Sequence, residues 1–138
     1  MRHALVLSCL ALCACGTTRL PTHYVPPEEA AWYKLPHELP TEGRKTLSGP
    51  MVTAIQLAMD DFLPRQTRPH WDATPQEICL YQRQSYDVHA APLGEGVMLV
   101  RITTNPGACR WGREPVADMG STYAVDIRNW RILAIQRP

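Results

Sequence analysis

The clearest hydrophobic pattern in the chain runs from residue 50 to residue 63. Apolar residues recur there at helical spacing, namely Met51, Ile55, Ala58, Met59 and Phe62. This spacing places them on one face of an α-helix. Ser48 or Gly49 can cap the helix, Pro50 suits its first turn, and Pro64 ends it. We therefore expect one long amphipathic helix whose apolar face packs on a sheet.

A second, shorter helix is predicted after an irregular stretch. Thr74-Pro75-Gln76-Glu77 has the residues of a capping box with proline at the first helical position. The helix should continue to about Arg83. A strand from Ile78 to Arg83 is the competing interpretation, which the complete cap disfavours. In either case Ile78, Cys79 and Tyr81 offer apolar groups to the core.

From Ser85 onward the pattern becomes that of extended strands. Apolar residues at 86, 88 and 90 alternate with polar ones, and 97–104 is a strong strand after the turn at 93–96. Residues 122–127 and 131–135 form a terminal hairpin pattern. The sequence therefore predicts an α+β domain in which one long and one short helix pack on an antiparallel sheet of about four strands.

The N-terminus carries a processing signal. Arg2 precedes an apolar run over 4–12, which is too short to span a membrane and is typical of a secretory signal peptide. Leu12-Cys13-Ala14-Cys15-Gly16 then resembles the lipobox of bacterial lipoproteins. The resemblance implies lipid attachment to the thiol of Cys15 and cleavage before it. An ordinary signal peptide and a buried N-terminal helix are the alternatives.

The lipobox also implies a location and a domain plan. Gly16 stands where Asp would retain an enterobacterial lipoprotein in the inner membrane, so the outer membrane, facing the periplasm, is favoured. The segment that follows is rich in proline and is typical of a semi-rigid spacer. We expect a signal peptide at 1–14, a lipidated cysteine and tether at 15–47, and a globular domain at 48–138. Within the tether, 27–34 has the pattern of two helical turns.

Charge and cysteine content narrow the class of protein. The chain of 138 residues has a formal charge of +1, which argues against a nucleic-acid binder. Of its 5 cysteines, the lipoprotein resemblance implies that Cys9 and Cys13 leave with the signal peptide and that Cys15 carries lipid. Cys79 and Cys109 then remain in an oxidising compartment, where we expect a disulfide between them. Two free core thiols are the alternative.

One set of residues has the chemical types of a hydrolase. Ser85, Asp87 and His89 share one face if a strand begins at Ser85. A bond from serine to histidine across four residues of flat strand is geometrically poor, and no oxyanion-hole motif accompanies it. A polar solvent-facing strand is therefore the favoured interpretation, and a small envelope hydrolase is the alternative. The histidine spacing predicts no metal site and nothing predicts a cofactor.

Two predicted loops combine arginine with tryptophan, the residue types that dominate binding hot spots. The first holds Arg110, Trp111 and Arg113, and the second holds Arg128, Trp130 and Arg131. They are candidate contacts to a protein or to an anionic envelope polymer. The alternative is that their aromatic parts cover the edge of the core with arginine stacked on them.

The order of elements resembles that of cystatin-like and NTF2-like small domains, several of which are bacterial immunity or inhibitor proteins. This resemblance is one of layout and transfers no site residue. The lipobox, the proline-rich spacer and the absence of an assembled catalytic set lead us to expect a lipid-anchored envelope protein that acts as a non-enzymatic binding or structural module. An immunity-like or inhibitor-like role is one form of that hypothesis.

Overall fold

A computed structural model of the chain describes residues 24–109 and 119–138. The chain divides between Arg44 and Lys45 into two units. The described part of the first unit contains one short helix, α1 (Pro27–Ala30), which is a single turn where the sequence pattern suggested two. Pro27 lies in its first turn, Glu28 and Glu29 follow, and the next residues Trp32 and Tyr33 are exposed.

The second unit is an α+β domain with an antiparallel four-stranded sheet, which confirms the predicted class and sheet. Its helices are α2 (Gly49–Phe62) and α3 (Pro75–Leu80), with a 3₁₀ turn at Arg83–Ser85. Its strands are β1 (Tyr86–Gly94), β2 (Val97–Thr104), β3 (Ser121–Asp126) and β4 (Arg131–Gln136). They lie side by side in chain order. Short connections between β1 and β2 and between β3 and β4 favour this meander, because antiparallel neighbours need only a tight turn.

Helix α2 begins and ends with specific side-chain contacts. The Ser48 hydroxyl accepts a hydrogen bond from the Met51 amide at 3.4 Å, and proline occupies the first turn. At the other end, the Arg83 guanidinium donates to the Leu63 carbonyl at 2.8 and 3.2 Å and to Asp60 at 2.5 Å. A cation at the C-terminus of a helix also interacts favourably with its dipole. Arg83 thus fixes the end of α2 relative to the start of β1.

The core lies between α2 and one face of the sheet. Ala54 and Ala58 are fully buried in the helix, and small side chains there let its backbone approach the strands closely. The strands contribute Met98, Val100, Ile102, Tyr123 and Val125, which alternate with outward-facing residues. Phe62 meets Tyr86 edge-to-face with ring centroids 4.9 Å apart.

Tyr123 is the largest fully buried side chain among the described residues, and it ties β3 to α2. Its hydroxyl donates to Asp61 Oδ2 at 3.2 Å. Burial, and then the Asp61 carboxylate, raise the pKa of this phenol to about 12. The phenol therefore stays protonated over the whole neutral range and keeps its donor role.

Helix α3 is shorter than the sequence predicts. Its start is the expected capping box, in which the Thr74 hydroxyl and the Glu77 carboxylate each accept a hydrogen bond from the other's backbone N–H. The backbone N–H of Thr74, and then its hydroxyl at 2.9 Å, donate to the Glu77 carboxylate and lower its pKa. The helix ends at Leu80 rather than near Arg83. The side chains of two residues that follow the helix donate hydrogen bonds to its last two carbonyls. Ser85 Oγ donates to Cys79 O and Tyr86 Oη donates to Leu80 O, both at 2.7 Å.

The predicted disulfide between Cys79 and Cys109 is present. It joins α3 to the segment that follows β2, with a sequence separation of 30 and with 5.6 Å between the two Cα atoms. Cys109 is fully buried. Closing a loop of this length stabilises the folded state by about 3–4 kcal/mol in the chain-entropy treatment, because it restricts the unfolded chain. The bond holds the short α3 against the sheet. This matters because α3 has no buried residue that would hold it there.

Over residues 24–109 and 119–138, no helix is long and apolar enough to cross a membrane. The residues of the lipobox, including Cys15, lie outside the described part of the chain.

Candidate functional site

The sheet has a second face, opposite the one that packs on α2, which we call the outer face. Cross-strand register aligns its side chains in rows. A polar row consists of His89, Arg101, Thr122 and Gln136. The adjacent apolar row consists of Ala91, Leu99, Ala124 and Ala134. All eight are exposed or half-buried in the described part of the chain, so the outer face is open to solvent there.

Arg101 lies near the centre of this face, on the inner strand β2. Its Nε donates to the Thr122 hydroxyl of β3 at 3.2 Å, which fixes the orientation of the guanidinium plane. Within the described ranges, no ion pair joins Arg101 to a carboxylate. His89 lies directly across from it on β1. One cationic and one cationisable side chain therefore lie side by side on an open surface.

Two shallow hollows flank Arg101. The larger, of about 470 Å³, is lined by His89, Ala90, Ala91, Leu99, Arg101, Thr103 and Thr122. The smaller, of about 230 Å³, extends toward the end of β4 and includes Arg101, Gln136 and Arg137. Neither lining contains Asp or Glu. The nearest acid along β1 is Asp87, which accepts a hydrogen bond from Asn105 Nδ2 at 3.0 Å. The larger hollow thus has a positive charge at one end and apolar side chains at the other, and the smaller one is bordered by two arginines.

The structure does not bring Ser85, Asp87 and His89 together as a catalytic set. Strand β1 begins at Tyr86, so Ser85 belongs to the preceding 3₁₀ turn and lies off the predicted strand alternation. Ser85 is 2% exposed, and its hydroxyl donates to the Cys79 carbonyl. Asp87 is held by Asn105, and His89 opens onto the outer face. No hydrogen bond among the described residues joins any two of the three.

The second arginine–tryptophan loop is organised by a carboxylate. Asp126 accepts hydrogen bonds from the Arg128 and Asn129 amides, at 2.9 and 3.2 Å, and from the Asn129 side chain at 2.9 Å. Arg131 Nε donates to it at 3.2 Å. These bonds, that of the Asn129 side chain first, lower the pKa of Asp126 to about 2.

Two of the three predicted contact residues in this loop are therefore engaged within the domain. Arg131 is held by Asp126, and the side chain of Arg128 lies over Gly96, where an added Cβ would come within 2.6 Å of its Nε. Trp130 has a φ of +52° and is 42% exposed, so it remains accessible at the tip. Arg110, Trp111 and Arg113 lie outside the described residues.

Sequence reasoning missed Arg101 and Thr122 as site residues. The signal was present as one charged residue inside the apolar run of β2, from Val97 to Ile102. Such a position marks the solvent side of a strand and does not by itself indicate a site. Its significance depends on which side chains lie opposite on the neighbouring strands.

In the described part of the chain, no group of three or more His, Cys, Asp or Glu residues is arranged to hold a metal ion. Comparisons with protein-family models, with curated proteins and with solved structures found no match to this chain.

Replacing Asp126 by Asn tests whether the carboxylate holds the terminal hairpin. The pKa of Asp126 is lower in the folded chain than its ordinary value of 3.8, so its stabilising contribution is present above that value and is lost as the pH falls toward about 2. Asp126→Asn should melt at a lower temperature than wild type at neutral pH, and the difference should narrow as the pH is lowered through this window. Thermal unfolding followed by circular dichroism measures it. A difference that stays constant down to about pH 2 would show that the ionised carboxylate is not the stabilising group.

Proposed function

We propose that this chain is a lipid-anchored bacterial envelope protein whose α+β domain is a small non-enzymatic binding module, with the outer face of the sheet as its binding surface. The observation that carries the proposal is the open outer face, which presents Arg101 without an acidic partner among the described residues. A charged side chain is held there in a fixed orientation beside exposed apolar groups. Such a combination is typical of a surface that binds a partner.

The lipid anchor is supported by the lipobox that ends at Cys15. Two or more acyl chains on one cysteine give stable membrane attachment, where a single chain binds only marginally. The proline-rich residues between the anchor and the domain would let the binding surface reach a partner away from the membrane. The outer membrane, with the domain facing the periplasm, is the location we propose. An immunity-like or inhibitor-like role fits this arrangement.

Binding is favoured over hydrolysis by the environment of Ser85. A nucleophilic serine needs an exposed hydroxyl with a base beside it. The Ser85 hydroxyl is instead buried and donates to a backbone carbonyl at 2.7 Å. Freeing it would also break the hydrogen bond that closes α3 at the Cys79 carbonyl.

The anchor is tested by lipid labelling in cells. Cys15→Ala should abolish incorporation of labelled palmitate, because the thiol that accepts the diacylglycerol is gone. Cys13→Ala is the matched control and should keep the label, since Ala is a common residue at that place in the lipobox. Globomycin should block processing of the wild type. Unlabelled wild type, or label that persists in Cys15→Ala, would contradict the anchor.

The binding surface is tested by site-specific photo-crosslinking in intact cells. Benzoylphenylalanine at Ala91, which is exposed on the outer face, should give a discrete crosslinked product. The same group at Gln56, which is exposed on α2, is the matched control and should give none. Equal products from both positions, or a product from Gln56 alone, would show that the outer face is not the binding surface.

A further inference from the structure

We infer that the hollow around Arg101 and His89 binds a side-chain carboxylate of a protein partner, presented by an acidic segment that also carries aliphatic groups. This inference deepens the proposed function, on which it rests, by naming the chemistry that the outer face recognises. It depends on the orientation of Arg101, on the charge of the hollow, on its apolar half and on its open shape.

The guanidinium of Arg101 is prepared to bind a carboxylate. Its Nε is occupied by the Thr122 hydroxyl, and its Nη groups donate to no acceptor in the described ranges. A guanidinium presents its donors in one plane, so fixing Nε also fixes the direction of the others. Two parallel donors match the two oxygens of a carboxylate and form charge-assisted bonds of about twice the strength of neutral ones. The geometry therefore favours a planar anion in front of Arg101.

The surroundings of Arg101 have the complementary charge for an acid. The imidazole of His89 lies across the strand pair, and the hydroxyls of Thr103 and Thr122 border the same hollow. No acid lines it, and Asp87 is held by Asn105. Arg137 borders the adjoining hollow and adds a second positive charge. An anionic side chain would thus meet donors and no acid in the lining of the hollow.

The apolar half of the hollow favours a ligand with aliphatic groups over a small inorganic anion. Ala90, Ala91 and Leu99 line it, and these short side chains let aliphatic groups of a partner reach the strands. A carboxylate flanked by aliphatic groups would match both the charged half and the apolar half of the hollow. Burial of those neighbours would exclude water and strengthen the charged bond.

The shape and the charge density indicate a protein rather than another class of ligand. Sites for small molecules enclose most of the ligand, whereas this hollow opens onto a flat sheet face. Anionic membranes are bound by clusters of about 4–8 basic residues. Nucleic acids need several phosphate contacts along a basic groove. One arginine and one histidine beside an apolar row are sufficient for a single carboxylate on a protein surface.

The test uses the full-length protein in detergent micelles and fluorescent peptides as probes. The acidic probe is acetyl-Leu-Glu-Leu-Glu-Leu-amide, and its matched control has Gln in place of each Glu. Fluorescence anisotropy should show the acidic peptide binding wild type about tenfold more tightly, the factor that 1.4 kcal/mol confers. Arg101→Gln should remove this preference, and added salt should weaken it.

Three further variants keep the result interpretable. Arg65→Gln removes another exposed arginine, one paired with Asp60 near the end of α2, and should leave the preference unchanged. Arg101→Lys retains the charge without the planar fork and should retain only part of the preference. Thr122→Val removes the acceptor that orients the guanidinium and should weaken it as well. Arg101 is exposed, so these substitutions should leave the far-ultraviolet circular dichroism of the domain unchanged.

Equal binding of the two peptides by wild type, or an unchanged preference in Arg101→Gln, would overturn the inference. Binding of anionic phosphatidylglycerol vesicles through Arg101, with no preference between the peptides, would overturn it in favour of a membrane ligand. If the peptides fail while Ala91 still crosslinks to a partner, the ligand class is wrong and the proposed function stands. If neither occurs, both fail.

Discussion

The packing of α2 on one face of the sheet is the contact on which the rest of the domain depends. Ala54 and Ala58 have no side chain beyond Cβ, so the helix lies close over Val100, Ile102 and Val125. One helix of 14 residues covers only one face of a four-stranded sheet. The strands therefore alternate between buried apolar residues on the α2 side and exposed residues on the other. That division creates the outer face.

The disulfide and the 3₁₀ turn hold α3 at the N-terminal end of β1. Helix α3 has no buried residue of its own, and Cys79 holds it to Cys109. Ser85 and Tyr86 then close the end of α3 through its last two carbonyls. The same contacts that hold the short helix bury the Ser85 hydroxyl. The Ser85 hydroxyl that helps to hold this end of the domain is therefore not available for chemistry. For this reason we propose the outer face as the functional surface.

The sequence predicted the class and the antiparallel sheet well because both depend on local patterns. Period-two alternation and the turn at 93–96 are features of neighbouring residues. The end of α3 was predicted wrongly, since it depends on side chains from the next element. The same limit explains why Arg101 was missed. Its partners Thr122 and His89 are brought to it by strand register, which a single sequence does not reveal.

The arginine–tryptophan loops show a different limit. Their composition indicated a contact surface, and in the second loop Asp126 accounts for Arg131, while Gly96 accommodates Arg128. In a loop with several backbone donors and one carboxylate acceptor, these groups form hydrogen bonds with each other and are not available to a partner. The residues available for binding are those whose charge the fold leaves unpaired. Arg131 is ion-paired with Asp126, whereas Arg101 is paired with no carboxylate in the described ranges, so Arg101 is the stronger candidate.

The central claim is that the outer face is open surface and is not part of the core. Adjacent residues of β2 test it directly, because Leu99 is half-buried on the outer face and Val100 is fully buried on the core face. The free energy of unfolding in urea is measured for Leu99→Thr and for Val100→Thr. Val100→Thr should lose about 1–3 kcal/mol, since it buries a hydroxyl without a partner, and Leu99→Thr should lose clearly less. Equal losses would mean that the outer face is covered within the folded chain, and would contradict the account.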